Sequence, residues 1–434
     1  SKHPRPMQRS RFILLAIVSV FALAFLALAY LQVEQGERAK VQLSYFPVPQ
    51  EIDRPVILAA NFAQPTATAA IPNYLEKSLA WLAEAQLSNG GWGAGLHSAQ
   101  QIRDPQAVDV DPATTAFSAM ALLRAGSTHR TGPYHESVDK ALTYLLVAVE
   151  TAPREHINIT DQTGTQPQRK LGENIDVAMT TQFLSKLLPH VDDNALASRM
   201  ASAIDFCVYR LEDTQYADGS WNTQGWAPVL NSAMCHSALE AAQSVGRPVS
   251  LPALRASEQY QAKNVNTGGG SSPIATDAAA GIPLYALAST QRATAAGARE
   301  VRTKLKDAKV SEDAAQEEVE AVLVDEGYTK TEAEEMANSY ASNQSATRQL
   351  QDDEVWVGFG NNGGEEYLSY MNTSESLVAA EDASWTEWRE KISTKFEKIQ
   401  NNDGSWSGHH CITSPVFCTA AIVLTMTADR DPML

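Results

Sequence analysis

Apolar positions are distributed along the chain in three different ways. From Phe12 to Val33 runs a stretch of twenty-two residues without a charged side chain. At about 1.5 Å per residue this is roughly 33 Å of helix, enough to cross the hydrocarbon core of a bilayer. Residues 34–72 carry Pro47, Pro49, Pro55, Pro65 and Pro72, a spacing that predicts an extended, semi-rigid tether. From residue 73 onward the apolar period becomes helical. Leu75, Leu79 and Leu82 share one face, as do Met200, Ile204, Cys207, Val208 and Leu211, and Trp385, Trp388, Ile392, Phe396 and Ile399. Each of these amphipathic helices is followed by a second, more uniformly apolar one, at Pro112–Arg124, Val229–Gln243 and Pro415–Met426.

The junction between the two helices is a repeat. Gln86-Leu-Ser-Asn-Gly-Gly-Trp92, Gln215-Tyr-Ala-Asp-Gly-Ser-Trp221 and Gln400-Asn-Asn-Asp-Gly-Ser-Trp406 share one layout. Physically it is a helix stop: glycine takes the left-handed conformation, Asn or Asp starts the turn, and Trp covers the junction. The Gln amide is expected to satisfy carbonyls at the helix end. Weaker pairs fill the intervals, 137–149 with 176–188 and 254–262 with 276–289. Glu365–Ala380 would find its partner at the end of the segment before it. The count is six helical hairpins. Residues 295–345 read as an insertion, basic over 299–309 and acidic over 312–338. It is either a solvated helical hairpin or a docking arm for a protein partner.

Length and charge acquire meaning against this pattern. By length alone, 434 residues suggest two or three domains, but the repeat makes 73–428 one domain. The formal charge of −17 divides into +4 on residues 1–11 and −21 on the rest. A body so acidic excludes a nucleic-acid surface. The basic tip predicts that residues 1–11 stay in the cytoplasm, with everything beyond Val33 outside; in a bacterium this means the inner membrane and periplasm. A secretory signal peptide is the rival reading, with Ala27-Leu28-Ala29 as a cleavage-site-like triplet, although the apolar run is long for one. Four cysteines without a CxxC pair exclude a disulfide scaffold and a zinc ribbon.

The Gln-x-x-Asp-Gly-Ser-Trp layout between paired helices resembles the prenyltransferase and squalene-oxidase repeat. That repeat builds the α/α toroids of terpenoid cyclases, protein prenyltransferase β-subunits and thioester-containing complement domains. The resemblance covers 73–428 outside the insertion. Together with the apolar run at 12–33, it implies an all-α chain: one N-terminal transmembrane helix, then a toroid of about six hairpins with a charged helical insertion. The family's chemistry is incompletely represented. Class II cyclases use an Asp-x-Asp-Asp-Thr-Ala acid; here Asp109-Val-Asp111-Pro112-Ala-Thr-Thr carries proline at the fourth position. Asp109, Asp111 and Asp176 therefore read as helix-start acids, with a proton donor as the alternative. The prenyltransferase zinc set would be Asp205, Cys207 and a later His such as His236, but Cys207 lies on an apolar stripe.

Two further clusters stand apart from repeat packing: Gly360–Tyr367, with Glu365 and Glu366, and Ser407–Cys411, with His409 and His410. Loops of adjacent toroid units share one end, so the clusters are expected to meet. Glu365, Glu366, His409 and His410 are then candidates for ligand binding, and His409, His410 and Cys411 for a divalent metal. Against this stands ordinary helix capping by Glu365 and Glu366. His409 and His410 are neighbours, so one helical or strand face cannot present both equally. A Cys411–Cys418 disulfide is the alternative for that pair. The resulting expectation is a membrane-anchored, periplasmic, non-catalytic binding or structural subunit without a cofactor, meeting membrane-protein partners through the span and the insertion. The alternative is an isoprenoid- or lipid-directed enzyme using the toroid cavity.

Overall fold

The computed structural model describes residues 70–153, 155–221, 224–265, 277–360 and 362–434. The span expected at 12–33 and most of the tether lie outside them. Among the described residues no helix is long and apolar enough to cross a membrane, and all regular structure is helical apart from one isolated bridge, Leu96 to Thr165.

The helices, in chain order, are α1 (Asn73–Glu84), α2 (Pro112–Arg124), α3 (His135–Thr151), the single-turn α4 (Gln166–Lys170), α5 (Ile175–Leu187), α6 (Asn194–Thr214), α7 (Pro228–Ser244) and α8 (Leu251–Ala262). They continue with α9 (Pro283–Ala293), α10 (Ala295–Ala308), α11 (Gln316–Asp325), α12 (Lys330–Gln349), α13 (Gly364–Ala379), α14 (Trp385–Ile399) and α15 (Pro415–Met426). Six of them, α2, α5, α7, α9, α13 and α15, pack each against the next, and α15 returns to α2. The chain thereby closes an inner ring, consistent with an α/α toroid. The outer helices α1, α3, α6, α8, α12 and α14 precede the inner ones and pack outside them.

Inner helices need no polar face because both sides are covered. Every residue of α5 and α15 is buried, as is nearly every residue of α2 and α13. All six inner helices contribute to one contiguous apolar cluster. Met120, Met179, Met234, Met371 and Met426, one on each of five inner helices, are buried within it, and Phe117 stacks on Phe417 with centroids 4.8 Å apart. Methionine suits such a place because its unbranched chain adapts to irregular gaps.

The repeat motif joins neighbouring hairpins. In each copy the indole Nε1–H donates to a carbonyl in the last turn of the preceding helix: Trp92 to Leu82, Trp221 to Leu211 and Trp406 to Phe396. The tryptophan, rather than the glutamine, therefore satisfies the helix end. The Gln amide reaches across to the next outer helix instead. Gln86 donates to Ser137 O, Gln215 to Ala253 O and Gln400 to Tyr74 O, each at 2.9 Å. The left-handed glycines Gly90, Gly219 and Gly404 lie against Lys140, Ala256 and Lys77 so closely that a Cβ would collide. Gln400 and Gly404 act on α1, so the third motif copy closes the ring between its ends.

The opposite end of the ring is tied by charge. Arg124, Lys186 and Arg292 lie in the last turns of α2, α5 and α9, where cations complement the helix dipole. Arg124 meets Glu375 at 2.6 Å and Asp431 at 2.7 Å; Lys186 meets Asp431 at 2.6 Å; Arg292 meets Glu240 at 2.8 Å and Glu375 at 3.1 Å. Burial acts to raise Glu375 and Asp431, yet the cations hold both below the usual carboxylate range.

The segment 295–345, expected as a single insertion, has two roles. Only α10 and α11 are additional. They share a small core of Ala298, Val301, Leu305, Val319 and Leu323 with one face of α12. Helix α12 is itself the outer helix of the fifth hairpin, packing on α9 and α8, which supplies the partner missing for Glu365–Ala380.

Candidate functional site

All six inner helices begin at the same end of the ring, and the acids singled out in the sequence collect there because each starts a helix. Asp111 is the N-cap of α2. Its Oδ1 accepts from Thr114 N at 2.7 Å, and its Oδ2 from Ala94 N at 2.9 Å and Thr114 Oγ1 at 2.8 Å. Asp176, in the first turn of α5, accepts from Ile159 N and Val177 N, both at 2.8 Å. Burial raises both acids, Asp176 to about 7, and each acts electrostatically on Tyr144 of α3. Asp109 does not join them; it is exposed. The helix-start reading thus describes what Asp111 and Asp176 do geometrically.

Glu365 and Glu366 open α13. Glu366 is fully engaged: Gly363 N at 2.8 Å, Phe359 N at 3.0 Å and the Tyr285 hydroxyl at 2.6 Å all donate to it. Glu365 Oε2 accepts from Ile412 N at 3.2 Å, while its buried Oε1 has no hydrogen-bond partner. Burial, then the neighbouring Glu366, raises Glu365 to about 7.

The two loop clusters do meet. Gly364 N donates to Ile412 O and His409 N to Asn362 O, and His410 Nε2 lies 3.9 Å from Glu366. The ring of His410 makes an edge contact with Phe359. Phe359 meets Trp226, and Lys170 sits 4.8 Å above the Trp226 ring. Cys411 lies between Lys170 and Glu365 in left-handed backbone, with φ at 61°. Burial, with Glu365 adding to it, pushes its thiol up to about 12, which favours the protonated form. His409 enters through its backbone alone in these contacts.

Among the described residues no three His, Cys, Asp or Glu side chains are arranged to hold a metal ion. Cys411 and Cys418 are both free thiols, so the disulfide alternative is corrected; Cys418 Sγ donates to Ile412 O instead. The zinc set also fails to assemble. Asp205 pairs with Arg247, Cys207 is buried in the apolar cluster, and His236 contacts Ser257 and Glu240.

Sequence reasoning passed over Lys170, Trp226, Tyr285 and Phe359. Each belongs to a different loop or helix, and only closure of the ring brings them beside Glu366. Trp226 and Phe359 are isolated aromatics in loops, Lys170 ends a single helical turn and Tyr285 opens α9, so no period reveals them.

No family model matches the chain, and no curated protein matches it. Among solved structures, a type II terpene cyclase from Scytonema in its apo form is similar over 83% of this chain and 98% of its own, at 12% identity and a TM-score of 0.34.

Proposed function

We propose that this chain is a membrane-anchored, non-catalytic binding or structural subunit of a membrane assembly, with its helical ring outside the cytoplasmic face. The observation that carries the reading is the burial of the six inner helices. Inner helices buried on all sides, in one continuous apolar cluster, leave the outer surfaces for recognition. The partner surface fits the α10–α11 hairpin, which has a core separate from that of the ring and an exposed Val324 among acidic side chains.

The test must spare α12, because a deletion of 295–345 removes an outer helix of the ring. Chain lacking 296–328 is expected to keep its cooperative unfolding and lose the membrane proteins that co-purify with full-length chain in mild detergent. Recovery of the same partners would overturn the hairpin's role.

One observation favours the alternative, an isoprenoid-directed enzyme. Glu365 is a buried carboxyl with an uncommitted oxygen and a raised pKa, properties that suit a proton donor. That chemistry also requires an axial chamber for the substrate, which separates the two readings.

A further inference from the structure

The repeat motif builds a second kind of feature at each junction it makes. Counting from the carbonyl that receives the motif glutamine, the residue seven positions on is aromatic in all three cases. Ser137 leads to Tyr144, Ala253 to Tyr260 and Tyr74 to Trp81. Two helical turns place each ring on the same face as that carbonyl, beside the motif turn and the proline that starts the inner helix. All three rings are half-buried.

Two of the junctions hold a cleft. One, of about 440 Å³, is lined by Asn89, Pro112, Tyr144, Val147, Thr160 and Asp161 among others. The other, of about 480 Å³, is lined by Trp81, Asp104, Asn401, Asp403, Ser407 and Pro415, with Arg103 beside Asp104. They are counterparts: motif turn, helix-start proline, aromatic ring, and the loop that follows the ring's helix. At the third junction Tyr260 faces the motif acid Asp218 electrostatically, and part of its following loop lies outside the described residues.

What recurs is an aromatic face beside short amide, hydroxyl and carboxylate side chains. The formal charge recurs as well, at −1 on the described lining of each cleft. The first cleft has Asp161 and no cation on its described lining, with Asp111 and Asp176 acting on Tyr144 from behind. In the second, Arg103 offsets Asp104 and leaves the charge of Asp403, which accepts from Ser405 N and Oγ. A net negative lining disfavours an anion at both, and the shared ring, amides and hydroxyls suit a ligand that offers an apolar face and groups that both donate and accept. A pyranose sugar has these properties: C–H bonds on its faces and hydroxyls around its edge. We infer that the junction clefts are saccharide-binding subsites, repeated around the ring so that a neutral polysaccharide engages more than one at once. The subsites at Trp81 and Tyr144 lie on successive junctions, so a linked chain gains avidity that single sugars lack. This inference does not depend on the partner proposed for the hairpin.

The experiment is native affinity electrophoresis of the full chain in gels containing laminarin, glycol chitin or dextran. At least one polymer is expected to retard the chain. Trp81→Ala and Tyr144→Ala should each weaken retardation about fivefold, Tyr144→Phe should preserve it, and the triple Trp81→Ala/Tyr144→Ala/Tyr260→Ala chain should run unretarded. Because removing a half-buried ring can disturb packing, Asn402→Ala on the exposed turn serves as a second probe. It is expected to weaken binding with unfolding unchanged. Failure of every polymer to retard the wild type, or equal retardation of the triple variant, would overturn the inference.

Discussion

Glu365 and Asp176 are both sealed carboxyls raised to about 7, but their surroundings differ. Asp176 is held by two backbone N–H groups, which favour its ionised form and act against burial. Glu365 has a long bond from Ile412 N and an acidic neighbour. The native state therefore keeps the Glu365 proton to higher pH than the unfolded chain does. Between the ordinary value of 4.5 and about 7 the native state binds more protons, so stability falls as pH rises through that window. A shift of this size corresponds to roughly 3 kcal/mol. Glu365→Gln keeps an acceptor for Ile412 N and removes the titration. Urea unfolding should show it more stable than wild type at pH 8, by up to roughly 3 kcal/mol, and little changed at pH 4. Equal effects at both pH values would remove Glu365 as the source. The acids of the charged end behave oppositely: Glu375 and Asp431 stabilise above the ordinary carboxylate pKa and lose that contribution as pH falls through their lowered values.

At the scale of elements, the ring is held by contacts between hairpins. Gln400 donates to Tyr74 O, Ser78 Oγ and Gly404 O, and Ser78 Oγ donates to Gly404 O at 2.7 Å. Gln400→Ala removes the first three at the one motif junction where the repeat's two ends meet. The expected loss is about 1–3 kcal/mol, with faster amide exchange in α1 than Gln86→Ala causes there. Equal exchange in the two variants would show that closure at α1 does not rest on Gln400. These helices were legible because period and punctuation agree. Pro112–Arg124 and Pro415–Met426 were expected at their observed limits, since proline starts each and an apolar run fills it. The outer helix α12 was harder to see. Its inner face offers Ala346 and Leu350 to the ring, while Ala333, Ala337 and Tyr340 belong to the hairpin core, so its polar sequence shows no single apolar stripe. The charged end was missed for another reason: Arg124, Lys186 and Arg292 are single cations that close apolar helices and resemble ordinary helix-end residues. The loop clusters at Glu366 and His410 could be expected to meet from repeat geometry, whereas the role of Trp226 beside them could not.

Over the whole molecule, the two readings of function differ in what occupies the axis of the ring. A scaffold requires a filled interior and working surfaces; an isoprenoid enzyme requires a chamber of several hundred cubic ångströms. Five inner helices each bury a methionine and Phe117 stacks on Phe417, which is the burial that the scaffold reading requires. The most direct measurement is xenon binding in crystals of the wild type and of Met371→Ala. An apolar void admits xenon when it is large enough, whereas a packed core has no site for it. The packed ring predicts no xenon among the inner helices of the wild type and a new site in Met371→Ala. Well-occupied xenon sites along the axis of the wild type would contradict the scaffold reading and favour a substrate chamber.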